Sequence, residues 1–431
     1  MHINIPVTEE VQDSLGARFV LYSVHLEGIL LFKVRYSDLH LWDEQLHRVF
    51  GNLLPTFPPK YFLAMTNSMA EERRLQLEQY LQQLVSDPVI SNSEIFIDFI
   101  KKLQMETFKM PTVDLILKVY LPDGTQIKVD ALTMDTAEQV LKSALYKIGL
   151  SRELMEYFSL FITHREYNGD ITVVKQIADF ELPFITIWNM DGETFQIDIR
   201  KCYMNPATDA MLMGCTTAIH LLYVQAVQEF TMNWSRPTDE QRQKLQHLLE
   251  AHDEVKFLHL IQEVESYGHV QLRPCTSNYP EPGTSVTVSV GYVDTHCCFQ
   301  TSNGNQEILQ LRTSAVTCWN VQMCQSDTED AGVDSKHHLE FTFEYNQGET
   351  KQCITLRTDQ AFLLSTCLKK ILFEQPVVGT KEAMEIQVER KTIFSKKFNQ
   401  KHKPSGDHGK EVLLSKTMDN VVFDGFTDIN L

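Results

Sequence analysis

The sequence predicts an α+β chain of several domains, and three observations predict it. At 431 residues the chain is too long for one typical domain. Its hydrophobic period changes along its length, from mixed to helical to strand-like. Its 43% hydrophobic and 10% aromatic content fits well-cored globular modules rather than a disordered chain.

Residues 1–110 read as a small α+β domain. Arg18–Leu26 and Ile29–Tyr36 are strand-like and separated by Glu27-Gly28, a hairpin signal. Ser37 can cap a helix over Asp38–Phe50, and a proline loop follows at Leu54–Lys60. Ser68 and Glu71 have capping-box spacing ahead of a helix carrying Leu77, Tyr80, Leu81 and Leu84. Ser93–Met105 is the last helix of this region. Residues 111–203 open on a hairpin, Leu115–Leu121 and Thr125–Ala131, around Pro122-Asp123-Gly124. Asp135 and Glu138 sit where they would cap a helix ending at Gly149. Strands are expected at Tyr157–Thr163 and Phe184–Trp188. That order is the order of a ubiquitin-like fold.

Residues 204–268 turn helical, with long amphipathic stretches at Ala210–Trp234 and Thr238–Tyr267. Pro237 and a Thr238/Gln241 capping box separate them. Residues 269–378 return to period two, with strands at Val286–Val290, Leu309–Leu311, Val316–Met323, Leu339–Tyr345 and Cys353–Leu356. One apolar helix, Ala361–Phe373, closes the series, the pattern of a PH/PTB-like barrel. Residues 379–431 read as a flexible basic tail that turns acidic and aromatic over its last 13 residues.

Composition narrows the function classes. The formal net charge of −18 excludes a broad basic surface for nucleic acid or for acidic membranes in bulk. Residues 1–110 hold 10 Lys and Arg against 14 Asp and Glu, so any anion site there is a local pocket. Nine cysteines without C-x-x-C spacing point to reduced thiols in a cytosolic protein. No signal peptide is legible, and no apolar run approaches the roughly 20 residues needed to span a bilayer. Catalytic fingerprints are absent, so the chain reads as a non-enzyme without a cofactor. His296-Cys297-Cys298 does not read as a metal site, because adjacent strand residues point to opposite faces.

Three cations stand out because hydrophobic sequence surrounds them. Arg35 ends an apolar strand beside Tyr36 and Ser37, Lys60 closes Phe57-Pro58-Pro59-Lys60, and Arg73 heads an apolar helix stripe. A charge in such a setting needs an anion. A guanidinium beside a tyrosine ring suits a phosphorylated ring-shaped ligand. The competing reading of Arg35 is a surface arginine with a packed stem.

Specific strings then resemble one family. They are Val34-Arg35-Tyr36-Ser37, Phe57-Pro58-Pro59-Lys60, Glu72-Arg73-Arg74 before Leu77-Glu78-Gln79-Tyr80-Leu81, Tyr157-Phe158-Ser159-Leu160-Phe161, and Phe180-Glu181-Leu182-Pro183. The chain resembles the sorting nexins that join a PX domain to a FERM-like module. The resemblance implies a PX domain over 1–110 and a ubiquitin-like F1 lobe over 111–203. A helical F2 lobe over 204–268, a PTB-like F3 lobe over 269–378 and a tail over 379–431 would follow. It implies that Arg35 binds the 3-phosphate of phosphatidylinositol 3-phosphate while Tyr36 supports the inositol ring. Lys60 would meet the 1-phosphate, and Arg73 the ring hydroxyls. Trp319 and Leu372 match groove positions that take Asn-Pro-x-Tyr or Asn-x-x-Tyr tails of receptors and integrins. Pro376 stands where relatives carry a methionine, which implies a shorter groove wall. Phe423, Phe426 and Leu431 resemble a tail that docks a retriever-type recycling complex. Asn420-x-x-Phe423 also has the form of the cargo motif, which would let the tail occupy the Trp319 groove. The implied role is an endosomal cargo adaptor, cytoplasmic and peripheral on the early endosome. The alternative is a signalling scaffold holding a small GTPase on F1, where Lys118, Lys128 and Lys142 are too dispersed to decide.

Overall fold

The computed structural model describes residues 1–375 except 13–15, 17, 61–65, 167–168, 191–193, 302–303, 326–336 and 348–349. The tail, with Phe423, Phe426 and Leu431, and Pro376 lie outside the described residues.

The first sheet has the order β1-β2-β3, from Ile3–Gln12, Arg18–Leu26 and Ile29–Arg35. The sequence did not suggest β1, because Pro6 breaks its alternation; an edge strand tolerates that proline. The β2–β3 turn needs positive φ at both residues, and Glu27 (53°) and Gly28 (82°) supply it. Four helices follow: α1 (Tyr36–Phe50), α2 (Asn67–Ser86), α3 (Pro88–Ser91) and α4 (Glu94–Thr107). Ser37 does not cap α1, which starts one residue earlier with Arg35 in the cap position and no side-chain cap. Nor does Ser68 cap α2. Thr66 does so by accepting from the Met69 amide, while Glu71 is drawn off by Arg74. Tyr22, Phe32, Trp42, Tyr80 and Phe96 fill the core between sheet and helices.

The second sheet runs β5-β4-β8-β6-β7, with β5 and β6 flanking a parallel β4–β8 pair. Its members are β4 (Asp114–Tyr120), β5 (Gln126–Leu132), β6 (Phe158–Arg165), β7 (Ile171–Gln176) and β8 (Phe195–Lys201). Helix α5 (Ala137–Lys147) begins at a Thr136/Gln139 capping box, one residue past the expected Asp135/Glu138 pair. Asp135 instead accepts from the Leu132 amide, and Glu138 pairs with Lys142. Phe184–Trp188 is not a strand but the body of helix α6 (Pro183–Trp188). Pro183 at its first position sets a helical φ and gives up no needed donor. The two long helical stretches resolve into α7 (Thr216–Thr231), α8 (Asp239–Glu250) and α9 (Glu254–Ile261). His252, at φ 53°, breaks the second stretch. One hydrophobic core runs from the second sheet into α7 and α9.

The third sheet follows the path β13-β12-β11-β10-β16-β15-β14, with β9 (Val270–Gln271) on β11. Its strands are β10 (Cys275–Ser277), β11 (Thr284–Val290), β12 (Asp294–Gln300), β13 (Gln306–Arg312), β14 (Val316–Gln325), β15 (His337–Gln347) and β16 (Thr350–Arg357). Helix α10 (Ala361–Glu374) packs Leu364, Leu368 and Ile371 into the core with Cys297, Phe299 and Phe341. The sequence placed His296-Cys297-Cys298 on a strand but did not delimit β12, because Asp294-Thr295-His296 reads as polar.

The motif Phe180-Glu181-Leu182-Pro183 docks the second sheet on the first domain. Phe180 meets Phe96 edge to face, and the Gln104 amide donates to the Phe180 carbonyl and accepts from the Leu182 amide. Glu181 is fully buried against Lys175 at 2.9 Å and also accepts from the Ala178 amide. Removing one partner of such a pair is the costly change. The β2–β3 turn meets α10: Thr366 donates to Glu27, His2 stacks on Phe362, and Gly28 leaves room for the Phe362 edge.

Candidate phosphate pocket and peptide groove

The first candidate site sits where β3 turns into α1. Arg35 faces Leu21 across the β2–β3 ladder, which makes Phe19 its diagonal neighbour on the same face. Its guanidinium lies 3.3 Å from the Phe19 ring centroid. Tyr36, the first residue of α1, donates its hydroxyl to the Pro58 carbonyl at 2.9 Å, which ties the proline loop to the helix. Phe57 packs on Tyr36 and meets Tyr80 edge to face. Lys60, two residues past that tie, is exposed, as is Ser37.

Arg73 approaches the same ring from α2. It is 8% exposed, and its guanidinium lies 4.3 Å above the Tyr36 ring. It also bonds Tyr22, whose hydroxyl burial pushes up in pKa while Arg73 pulls it down. One face of the Tyr36 ring therefore carries Arg73. The next residue plays a different part. Arg74 is taken up by Glu71 (2.6 Å) and Glu78 (3.1 Å) and holds the Ile5 carbonyl of β1. Among the described residues no carboxylate pairs with Arg35 or Lys60. The fold thus brings Arg35, Tyr36 and Arg73 together, tethers Lys60 nearby, and sets the Phe19 face against the Arg35 guanidinium. That leaves the Arg35 charge available to a phosphate. Sequence reasoning missed Phe19 and Tyr22; the period of β2 was the signal that could have found them.

The second candidate site lies where the third sheet ends. β14 pairs only with β15 among the described strands, so its outer edge is a free row of backbone donors and acceptors. α10 packs beside it. Trp319 faces Phe343 across the ladder and donates its indole N–H to Ser365 of α10 at 2.9 Å. It is half-buried, shared between the barrel core and the seam with the helix. Farther along α10, Leu372 (50%) and Phe373 (56%) are exposed. The helix ends at Glu374, whose carboxylate accepts from the Met204 and Asn205 amides at 2.9 and 2.7 Å. Gln375 is extended, as a residue preceding proline prefers to be. An open strand edge beside an apolar helix wall can add an extended peptide as a further strand. Ser365 had no sequence signal, since its role depends on the helix-to-strand packing.

Comparison with known proteins finds family models over three parts of the chain. The PX domain model matches residues 23–103, the FERM F1 lobe of sorting nexins 17, 27 and 31 matches 115–204, and the sorting nexin 17 FERM C-terminal domain matches 268–376. Sorting nexin-31 of Xenopus laevis is 57% identical over 432 residues, covering 100% of both chains. The chain belongs to the PX-FERM sorting nexins. Sorting nexin-31 of Homo sapiens is 44% identical, covering 90% of this chain and 89% of that one. Sorting nexin-17 of Homo sapiens is 33% identical, covering 87% and 81%. In a sorting nexin, a PX domain suggests phosphoinositide binding at an endosomal membrane, and a FERM module suggests capture of a protein partner. No helix among the described residues is long and apolar enough to cross a membrane.

Proposed function

We propose that this chain is an endosomal cargo adaptor. It binds phosphatidylinositol 3-phosphate in the pocket of its PX domain, over residues 1–110. It binds Asn-Pro-x-Tyr or Asn-x-x-Tyr tails of receptors or integrins in the β14–α10 groove of its F3 lobe, over 269–378. Its action is binding rather than catalysis, and it favours recycling over lysosomal degradation. The observation that carries this reading is Arg35. It lies on an aromatic face beside Tyr36 and Arg73, with no carboxylate partner among the described residues. On this reading Arg35 forks onto the 3-phosphate, Lys60 meets the 1-phosphate, and Arg73 reaches the ring while holding Tyr36 in place. The peptide extends the third sheet past β14, with Trp319 and Leu372 lining its path. Phe423, Phe426 and Leu431 hand the loaded adaptor to a retriever-type complex.

Flotation tests the lipid half. Wild type should float with vesicles containing phosphatidylinositol 3-phosphate, and Arg35→Gln should not, at an unchanged melting temperature. Undiminished flotation of Arg35→Gln would remove the pocket from the account.

A further inference from the structure

A second kind of site lies at the junction of the helical region and the third sheet. On β12, Asp294 and His296 are two residues apart and so share a face, while the next residue, Cys297, points into the core. That outward face meets the segment after α9, which brings Glu265 beside it. One ligand atom from each of Glu265, Asp294 and His296 lies within 4.8 Å of the others. His296 is 6% exposed, and among the described residues neither of its ring nitrogens has a hydrogen-bond partner. A buried imidazole left unsatisfied at both nitrogens is costly in a folded protein.

We infer that Glu265, Asp294 and His296 hold a divalent transition-metal ion, zinc in the cytosol, which fastens the helical region to the third sheet. The donor set argues for the metal class. Imidazole suits zinc and its neighbours, whereas magnesium and calcium prefer all-oxygen shells. Two carboxylates balance the charge of a doubly charged ion. Three protein ligands leave a fourth tetrahedral position for water. Glu265 is exposed and Asp294 half-buried, which gives the ion a route from solvent to the buried nitrogen. The Gln310 amide donates to Glu265 at 3.1 Å and supplies the outer contact that orients a ligating carboxylate. Gly291 belongs to the same arrangement: a Cβ there would strike His269, whose ring lies tilted 5.2 Å from that of His296.

The test is a calorimetric titration of the EDTA-stripped full chain with zinc chloride, paired with thermal unfolding. Wild type should bind one equivalent saturably and melt at a higher temperature with zinc but not with magnesium. Glu265→Gln and Asp294→Asn, both at solvent-facing ligands, should each weaken binding by about tenfold or more, the scale on which even outer contacts of metal sites act. They should also abolish most of the thermal gain. Two outcomes overturn the assignment: no saturable binding, or zinc affinity unchanged in both variants. A third is a thiolate charge-transfer band in the cobalt-loaded chain. That band would put the ion on cysteine, for which Cys324 with His338 and Glu340 is the candidate cluster.

Discussion

Around Tyr36, two aromatic rings carry two guanidiniums, Phe19 under Arg35 and Tyr36 under Arg73. Around Trp319, one indole hydrogen bond joins a strand to a helix, and the rest of the surface is open backbone and exposed Leu372. On the proposed function the first site would be preorganised for a small charged group, and the second would be completed by its ligand's own backbone. The difference teaches where each site's sensitivity should lie. The pocket should fail with single side chains, whereas the groove should tolerate changes along its wall but not at the joint between β14 and α10.

The largest expected effect separates the two arginines of the pocket. Arg35→Gln should weaken vesicle binding by about a hundredfold or more, since charge-assisted hydrogen bonds are worth about 1.5–3 kcal/mol each. Arg73→Gln should lose binding and also about 2–3 kcal/mol of stability in urea unfolding, because it is buried on Tyr36 and bonded to Tyr22. Equal stability of the two variants would erase the distinction between a ligand cation and a scaffold cation.

Next in size is the groove. Trp319→Ala should abolish tail-peptide binding in calorimetry and cost about 2 kcal/mol, less than a fully buried tryptophan would. Lipid flotation should survive. Trp319→Phe should retain most of the packing and lose only the bond to Ser365, about 1 kcal/mol. If the two variants behave alike, the hydrogen bond is what matters at the joint.

A pH effect probes the contact between the regions. His2, stacked on Phe362 of α10, is held down to about 4 by burial and then by Lys369 and the N-terminal amine, against an ordinary value of 6.5. The folded state therefore favours neutral His2. Its contribution is complete above pH 6.5 and is lost as the pH falls from 6.5 toward 4. Acidification from pH 7 to 5 should cost up to about 2 kcal/mol, and His2→Phe should flatten that loss in a melting series. The smallest effect belongs to Lys60. Because Lys60 is exposed, Lys60→Gln should weaken flotation only severalfold, about 1 kcal/mol, with no change in melting.

The two regions also differ in how far the sequence revealed them. The pocket was legible because Arg35, Lys60 and Arg73 are charges in apolar strings, an anomaly visible without coordinates. The groove was legible at Trp319 and Leu372 only through family resemblance, since an indole on a strand and a leucine on a helix look like core. What escaped had physical reasons. β1 carries Pro6, and β12 hides its buried Cys297 among polar residues. Phe184–Trp188 has the residues of a strand but begins at a proline that suits a helix. The caps shifted by one or two residues: Thr66 accepts from the Met69 amide and Thr136 from the Gln139 amide, where Ser68 and Asp135 had been expected to cap. His296 was set aside with its cysteine neighbours. Pairing it with Asp294 two residues earlier, rather than with Cys297, was the signal available.

One measurement addresses both regions together. Vesicles carrying phosphatidylinositol 3-phosphate, an anchored Asn-Pro-x-Tyr tail peptide, or both can be floated with wild type, Arg35→Gln and Trp319→Ala. Recruitment to vesicles bearing both ligands should exceed the sum of the single-ligand recruitments, because one bound site raises the local concentration of the other. Each variant should lose that excess. Recruitment no greater than the sum, or an excess that survives in Trp319→Ala, would contradict an adaptor that reads lipid and cargo at the same time.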